Sequence, residues 1–285
     1  MKVARFQHAG SFRYGTVFDD VITPLREDVS LSEILGLAST SPAAIGDLPT
    51  SGEALAVSDV RLVSLIERPG KILGIGLNYR DHAAETGREP PSVQMWFNKQ
   101  SSSINDPFGD VWLPAVSDAL DYETELVVVI GRRGRHVPRD RAHEIIAGYM
   151  CGCDYSVRDW QRATPTMIMG KGFDTHAPVG PWLTTADEVE DLSALRLRCL
   201  VNGDVRQDGL AGDMIFDIAA QIEHLTKAFP LEPGDLLFTG TPAGVGVART
   251  PPQFLEDGDV VRVEIDGLGA IEQRIVKEEA ETLIG

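Results

Sequence analysis

The sequence is poor in cysteine, with only Cys151, Cys153 and Cys199. Three thiols give no even disulfide framework, and their spacing gives no C-x-x-C pair for zinc, so they read as reduced structural residues. Long apolar runs are missing: none approaches the ~18 residues that a membrane-spanning helix needs. The opening MKVARFQHAG carries no apolar stretch of the secretory kind, which leads us to expect a cytoplasmic protein. Positive charge is also scarce. Against 43 Asp and Glu stand 26 Lys and Arg, for a formal net charge of −17. Such a chain repels phosphate backbones and anionic lipid, so neither nucleic acid nor membrane is expected as a partner. Nucleotide motifs are lacking too: there is no G-x-x-x-x-G-K-[ST], and Gly74-Ile75-Gly76 lacks the third glycine of a dinucleotide fingerprint. No G-x-S-x-G elbow supplies a serine nucleophile.

What is present is a chain of 285 residues, 43% hydrophobic, long enough for a large core. Its texture changes at Pro69-Gly70. Residues 1–68 read as a small N-terminal α/β module with a hairpin over Lys2 to Phe18, a helix around Leu31 to Leu37, and a small-residue segment from Ser39 to Gly52. Residues 69–285 alternate short apolar strands with Gly- and Pro-marked loops, the pattern of an α+β, mainly β domain. Leu126 to Ile130 is a β-branched run, and Val260 to Ile265 returns through Asp266-Gly267 to Ala270–Val276 as a hairpin. Two helices are expected. One spans Arg139 to Ala147 after Pro138; the other is capped by Asp213, carries apolar residues from Ile215 to Phe229 at helical spacing, and stops at Pro230.

Chemistry enters at DYETELVVVIG, where Glu123 and Glu125 sit two apart at the entrance to a strand. Period-two geometry turns both carboxylates to one face, shared with Val127 and Val129. Two like charges in a partly desolvated place need a proton or a cation between them. Glu188/Glu190 and Glu279/Glu281 have the same spacing, but they lie in polar stretches where water solvates them. A third acid, Asp154, follows an expected strand Ile145 to Cys153 and can complete an all-oxygen set, which favours Mg²⁺ or Mn²⁺ over zinc. His82 and Glu85, three apart, meet on a helical turn, where the carboxylate can orient the imidazole. Pro90-Pro91 downstream gives the loop a defined exit, as a lid requires. Gly240, Gly244 and Gly246 make a turn suited to close approach of an anion. His143 and His224 belong to expected helices, and His176 is expected to help shape a pocket.

Taken in order, IGLNY (75–79), HAAE (82–85), LDYETELVVVIG (120–131), DYSVRDWQ (154–161), KGFDT (171–175) and TGTPAGVG (239–246) resemble the fumarylacetoacetate hydrolase family over nearly all of Lys71 to Val276. The resemblance implies a mixed β-sandwich roll and a homodimer. It implies that Glu123, Glu125 and Asp154 hold Mg²⁺ or Mn²⁺, and that His82 and Glu85 form a general-base dyad on a mobile lid. It further implies that Lys171 is the catalytic or substrate-orienting lysine, and that Arg158, Gln161 and Thr241 help bind the substrate's carboxylate or oxyanion. The family commonly has Ser where this chain has Gly172, and Pro where it has Gln100, so substrate choice is less defined than reaction class. The expected substrate is a small 2-oxo or enol acid. The first expectation is hydrolysis of a carbon–carbon bond in an acylpyruvate or 2,4-dioxo acid, through a metal-stabilised enolate. Oxaloacetate-type decarboxylation and 2-hydroxy-diene-dioate isomerisation are alternatives on the same site, and a non-catalytic metal-binding member is the reading from another class.

Overall fold

Leu126–Ile130 (LVVVI) is apolar at every position, which suits a strand covered on both faces. The structure, a computed structural model describing residues 1–282 and 284, places it in strand Thr124–Ile130, buried throughout. Its side chains alternate between two cores. Leu126, Val128 and Ile130 cluster with Leu197, Val263 and Ile271. Val127 and Val129 cluster instead with Ile34, Leu35 and Ala38 of helix Leu31–Thr40.

This strand lies inside a 12-stranded mixed sheet. From one edge its main path runs Leu55–Ala56, Val21–Pro24, Ser11–Phe18, Lys2–His8, Ala177–Thr185, Ile146–Cys153, Thr124–Ile130, Leu236–Phe238, Ile72–Gly76 and Met95–Lys99. A five-stranded sheet, ordered Asp204–Leu210, Arg196–Val201, Val260–Ile265, Gly269–Lys277 and Val111–Leu113, contributes the opposing apolar layer. The architecture is the mainly β, α+β sandwich roll expected. The N-terminal hairpin Lys2–His8/Ser11–Phe18 forms, and Lys2 and Val3 pair with Thr184 and Leu183. The sheet therefore runs continuously between residues 1–68 and 69–285.

Two expected helices are shifted. Arg139–Ile145 is a 3-10 segment that ends two residues early, because Ile146 and Ala147 begin strand Ile146–Cys153. Ladder pairing with Ile130 on one side and Thr185 on the other outweighs the local helical signal. The last helix is Ile218–Ala228, and its cap is Asp217, whose side chain accepts from the Ala220 amide, not Asp213. Asn78 explains the shift: its backbone carbonyl and side-chain Oδ1 accept from the Ile215 and Phe216 amides, holding both outside the helix. Among the described residues no helix is long and apolar enough to cross a membrane.

Close strand packing is set by Gly148. A Cβ there would lie 2.1 Å from the Thr184 carbonyl oxygen, and a backbone atom cannot yield as a side chain does. Gly148→Ala is expected to destabilise the fold by roughly 1–3 kcal/mol or more through overpacking, as a lowered midpoint in denaturant titration. An unchanged midpoint would show that this contact is not tight in solution.

Candidate active site

Hairpin register explains how Asp154 reaches the two glutamates. Thr124 pairs with Cys153 and Glu125 with Gly152, so the next pair outward is Glu123 with Asp154. The Asp154 amide donates to the Glu123 carbonyl at 2.8 Å, extending the ladder one step beyond the strand ends. Each of the three acids offers a carboxylate oxygen within 4.8 Å of the others, and all three are buried.

Cations surround two of them. The Lys171 ammonium donates to Glu123 Oε2 and Asp154 Oδ2, both at 2.6 Å, and the Lys99 ammonium donates to Asp154 Oδ1 at 2.6 Å. Arg158 places Nη2 2.8 Å from Glu123 Oε1 and donates through Nε to Asp121. Burial by itself would raise the Glu123 carboxyl, but Arg158 and Lys171 outweigh it and hold the group well below the usual carboxylate range. Burial would also lower Lys171, yet Asp154 and Glu123 outweigh it and raise the ammonium, which stays charged. At Lys99 burial wins, with Lys171 adding to it, and the ammonium is pushed down despite Asp154.

Glu125 is different. The Gly240 amide donates to its Oε2 at 2.7 Å, but no Lys or Arg nitrogen lies within 4 Å among the described residues. Burial, then Asp154, then Glu123 raise its carboxyl well above the ordinary value. Four buried carboxylates, Asp121, Glu123, Glu125 and Asp154, thus face three buried cations, Lys99, Arg158 and Lys171. With all seven groups charged, one negative charge would be left over at Glu125, and its raised carboxyl means that a proton or an added cation must answer it. This is the chemistry of a site that fits an added cation: all-oxygen donors, already desolvated, with an uncompensated charge.

A cavity of about 620 Å³ opens beside the acids, lined by His82, Glu123, Glu125, Gln161, Lys171 and Thr241 among others. His82 belongs to the short helix Arg80–Glu85, and its Nδ1 lies 2.7 Å from Glu85 Oε1. A carboxylate partner fixes the proton on Nδ1 and leaves Nε2 as the basic nitrogen. Thr241 Oγ1 accepts from Gln207 Nε2 at 2.7 Å, which keeps its own hydroxyl proton available. Gln161 Oε1 accepts from Arg158 Nη1, turning its amide NH₂ toward other acceptors. The structure therefore gathers all nine residues singled out in the sequence: seven line the cavity, while Glu85 backs His82 and Asp154 backs Lys171.

The glycine turn binds anions, but they are the protein's own carboxylates. The Gly240 amide goes to Glu125, Ala243 to Asp81, Gly244 to Glu85, and Gly246 and Val247 to Asp121. Gly244 holds φ +111, and a Cβ there would lie 2.0 Å from the Arg206 carbonyl oxygen, so only glycine fits. His176 lies outside this cavity. It is buried, Nε2 donates to the Trp112 carbonyl at 2.8 Å, and burial pushes its imidazole down to about 3. Sequence reasoning missed Lys99, Asp121 and Gln207, none of which lines the cavity. The sequence signal for Asp121 was its place in the quoted motif; Lys99 and Gln207 gave none beyond their residue type. Gly172 and Gln100 are neighbours, since a Cβ at 172 would meet Gln100 Cγ at 3.0 Å.

A paired histidine and a buried carboxylate cluster thus share one cavity in a roll of two sheets. The chain belongs to the fumarylacetoacetate hydrolase family: residues 71–276 match the fumarylacetoacetate (FAA) hydrolase C-terminal family, and residues 1–64 match a family described as Rv2993c-like, N-terminal. It is 42% identical over 231 residues to the mitochondrial oxaloacetate tautomerase fahd2 of Xenopus laevis, covering 80% of this chain and 72% of that one. The 2-hydroxyhepta-2,4-diene-1,7-dioate isomerase of Mycobacterium marinum superposes with a TM-score of 0.81 at 30% identity, covering 98% of this chain and 100% of that chain. The maleylpyruvate hydrolase of Sphingobium sp. SYK-6, solved with manganese(II) and pyruvate, gives 0.79 at 30% identity with the same coverage.

The leftover charge makes a direct prediction. Mn²⁺ at a hundredfold excess over its Kd should stabilise the fold by about 2.7 kcal/mol, read as a rise in Tm. A carboxyl raised on folding contributes stability at low pH and loses it as pH rises through the folded value. Metal-free Glu125→Gln should therefore be more stable than wild type by a margin that widens with pH, and its Tm should no longer respond to Mn²⁺. A variant less stable at high pH would contradict the charge accounting.

Proposed function

We propose that this protein moves a proton between carbon and oxygen of a short 2-oxo diacid, interconverting the keto and enol forms of an oxaloacetate-type acid. The observation that carries the reading is the His82–Glu85 pair at the wall of a cavity that is also lined by Glu123 and Glu125, with Asp154 completing the acidic cluster behind them. Identity of 42% to a protein named as an oxaloacetate tautomerase supports it. A divalent ion held by the three acids, Mg²⁺ or Mn²⁺ from their all-oxygen character, would supply Lewis acidity toward the 2-oxo and carboxylate oxygens.

The chain's own groups do the rest. His82 Nε2 takes the proton from the carbon next to the oxo group and delivers one to the oxo oxygen to complete the enol, while Glu85 stabilises the imidazolium that forms in between. Lys171, held charged by its two carboxylates, sits beside the oxygen on which negative charge develops. The Thr241 hydroxyl and the Gln161 amide donate to the substrate carboxylate. Lid helix Arg80–Glu85, tied to the glycine turn through Asp81 and Glu85, limits water entry.

A second reading is carbon–carbon hydrolysis of an acylpyruvate, in which the same His82 activates water. It is favoured by the structural likeness to a maleylpyruvate hydrolase. Metal-loaded enzyme given oxaloacetate in D₂O should exchange the C3 protons faster than solvent alone, followed by NMR. His82→Gln should slow this by about 10²–10⁴ and keep the Mn²⁺-dependent rise in Tm. Cleavage of acetylpyruvate without accelerated exchange would replace the first reading by the second, and neither activity would remove both.

A further inference from the structure

The cavity has a buried inner end and an exposed rim. Its buried charged groups, Glu123, Glu125, Arg158 and Lys171, are at the inner end. Among the described residues, only two exposed charged ones line it, Arg88 and Arg162, and both are positive. Neither lies within 4 Å of a carboxylate among the described residues, in a chain whose formal charge is −17. The two come from separate segments of the chain. Arg162 is four residues after Arg158 in helix Arg158–Ala163, so Arg158, Gln161 and Arg162 share one face, with Arg162 about 6 Å further along the axis. Arg88 follows the lid helix. Its amide donates to the Ala83 carbonyl at 2.9 Å across Gly87, whose φ of +69 ends the helix and turns the chain.

We propose that Arg88 and Arg162 form a rim subsite that reads a second carboxylate at the far end of the substrate, making this a site for 2-oxo diacids rather than monoacids. The inference deepens the proposed function and rests on its inner end binding a 2-oxo acid. Guanidinium groups present planar paired donors suited to a carboxylate. Because the two belong to separate segments, a diacid also ties those segments together. An acid with no distal charge gains neither contact.

Binding, not turnover, tests this. Calorimetry on the Mn²⁺-loaded protein would compare oxalate, which is too short to reach the rim, with 2-oxohexanoate and 2-oxoadipate, equal in carbon count but differing in the distal carboxylate. Wild type should bind 2-oxoadipate about tenfold more tightly than 2-oxohexanoate at low ionic strength, and the gap should close as salt screens the exposed arginines. Arg88→Ala and Arg162→Ala should each narrow the gap, and the double variant should abolish it with oxalate affinity unchanged. Replacing both by Lys should restore part of it, as charge without the planar fork. Equal affinity for the two six-carbon acids in wild type, or a preference that survives the double variant, overturns the subsite. Failure of oxalate itself to bind overturns the 2-oxo-acid reading of the inner end, and this inference with it.

Discussion

Carboxylates taken out of water must be answered by opposite charge, and this requirement organises the centre of the molecule. Asp121, Glu123, Glu125 and Asp154 are all buried, and Lys99, Arg158 and Lys171 are buried with them. The lysines and the arginine are not interchangeable in this role. Arg158 spans Asp121 and Glu123 with its planar fork, whereas Lys171 reaches Glu123 and Asp154 from a single nitrogen. What they leave uncompensated is Glu125, and a divalent ion would carry the cluster past neutrality to a net positive charge. A strongly acidic chain would then present positive charge at one point.

The scaffold's share is to keep this arrangement in register. One antiparallel pair, Thr124–Ile130 with Ile146–Cys153, brings Asp154 opposite Glu123, and packing on both faces prevents the pair from slipping. The glycine turn then joins the cluster to helix Arg80–Glu85. Its amides satisfy Glu125 and Asp121 on the cluster side and Glu85 and Asp81 on the helix side, so the position of His82 and the position of the acids are set by one backbone segment. The same segment presents Thr241 to the cavity. A shift of this loop would move the acid–base pair and the anion partners together.

Much of the fold was legible locally. The N-terminal hairpin, the β-branched run 126–130 and the hairpin around Asp266-Gly267 are signalled by alternation and turn residues, and all three form. Where the reading failed, long-range partners decided. Arg139–Ile145 gives up its last residues to a strand pairing on both sides, and Asn78 fixes the start of the final helix from 138 residues away. The glycine turn was recognised as an anion-binding shape, but nothing local shows that four carboxylates from three other elements would occupy it.

The sequence by itself determined which groups this protein could use: Glu123 and Glu125 two apart at a strand entrance, His82 and Glu85 one helical turn apart, and family motifs that carry Lys171, Arg158, Gln161 and Thr241. Spacing suffices for these because side-chain direction along a strand or helix is periodic. Tertiary structure alone decided the balance of charge among them. Lys99 and Gln207 lie on strands remote in sequence from the acids and threonine they hold, and whether a buried carboxylate keeps a cation beside it depends on distances that only folding sets.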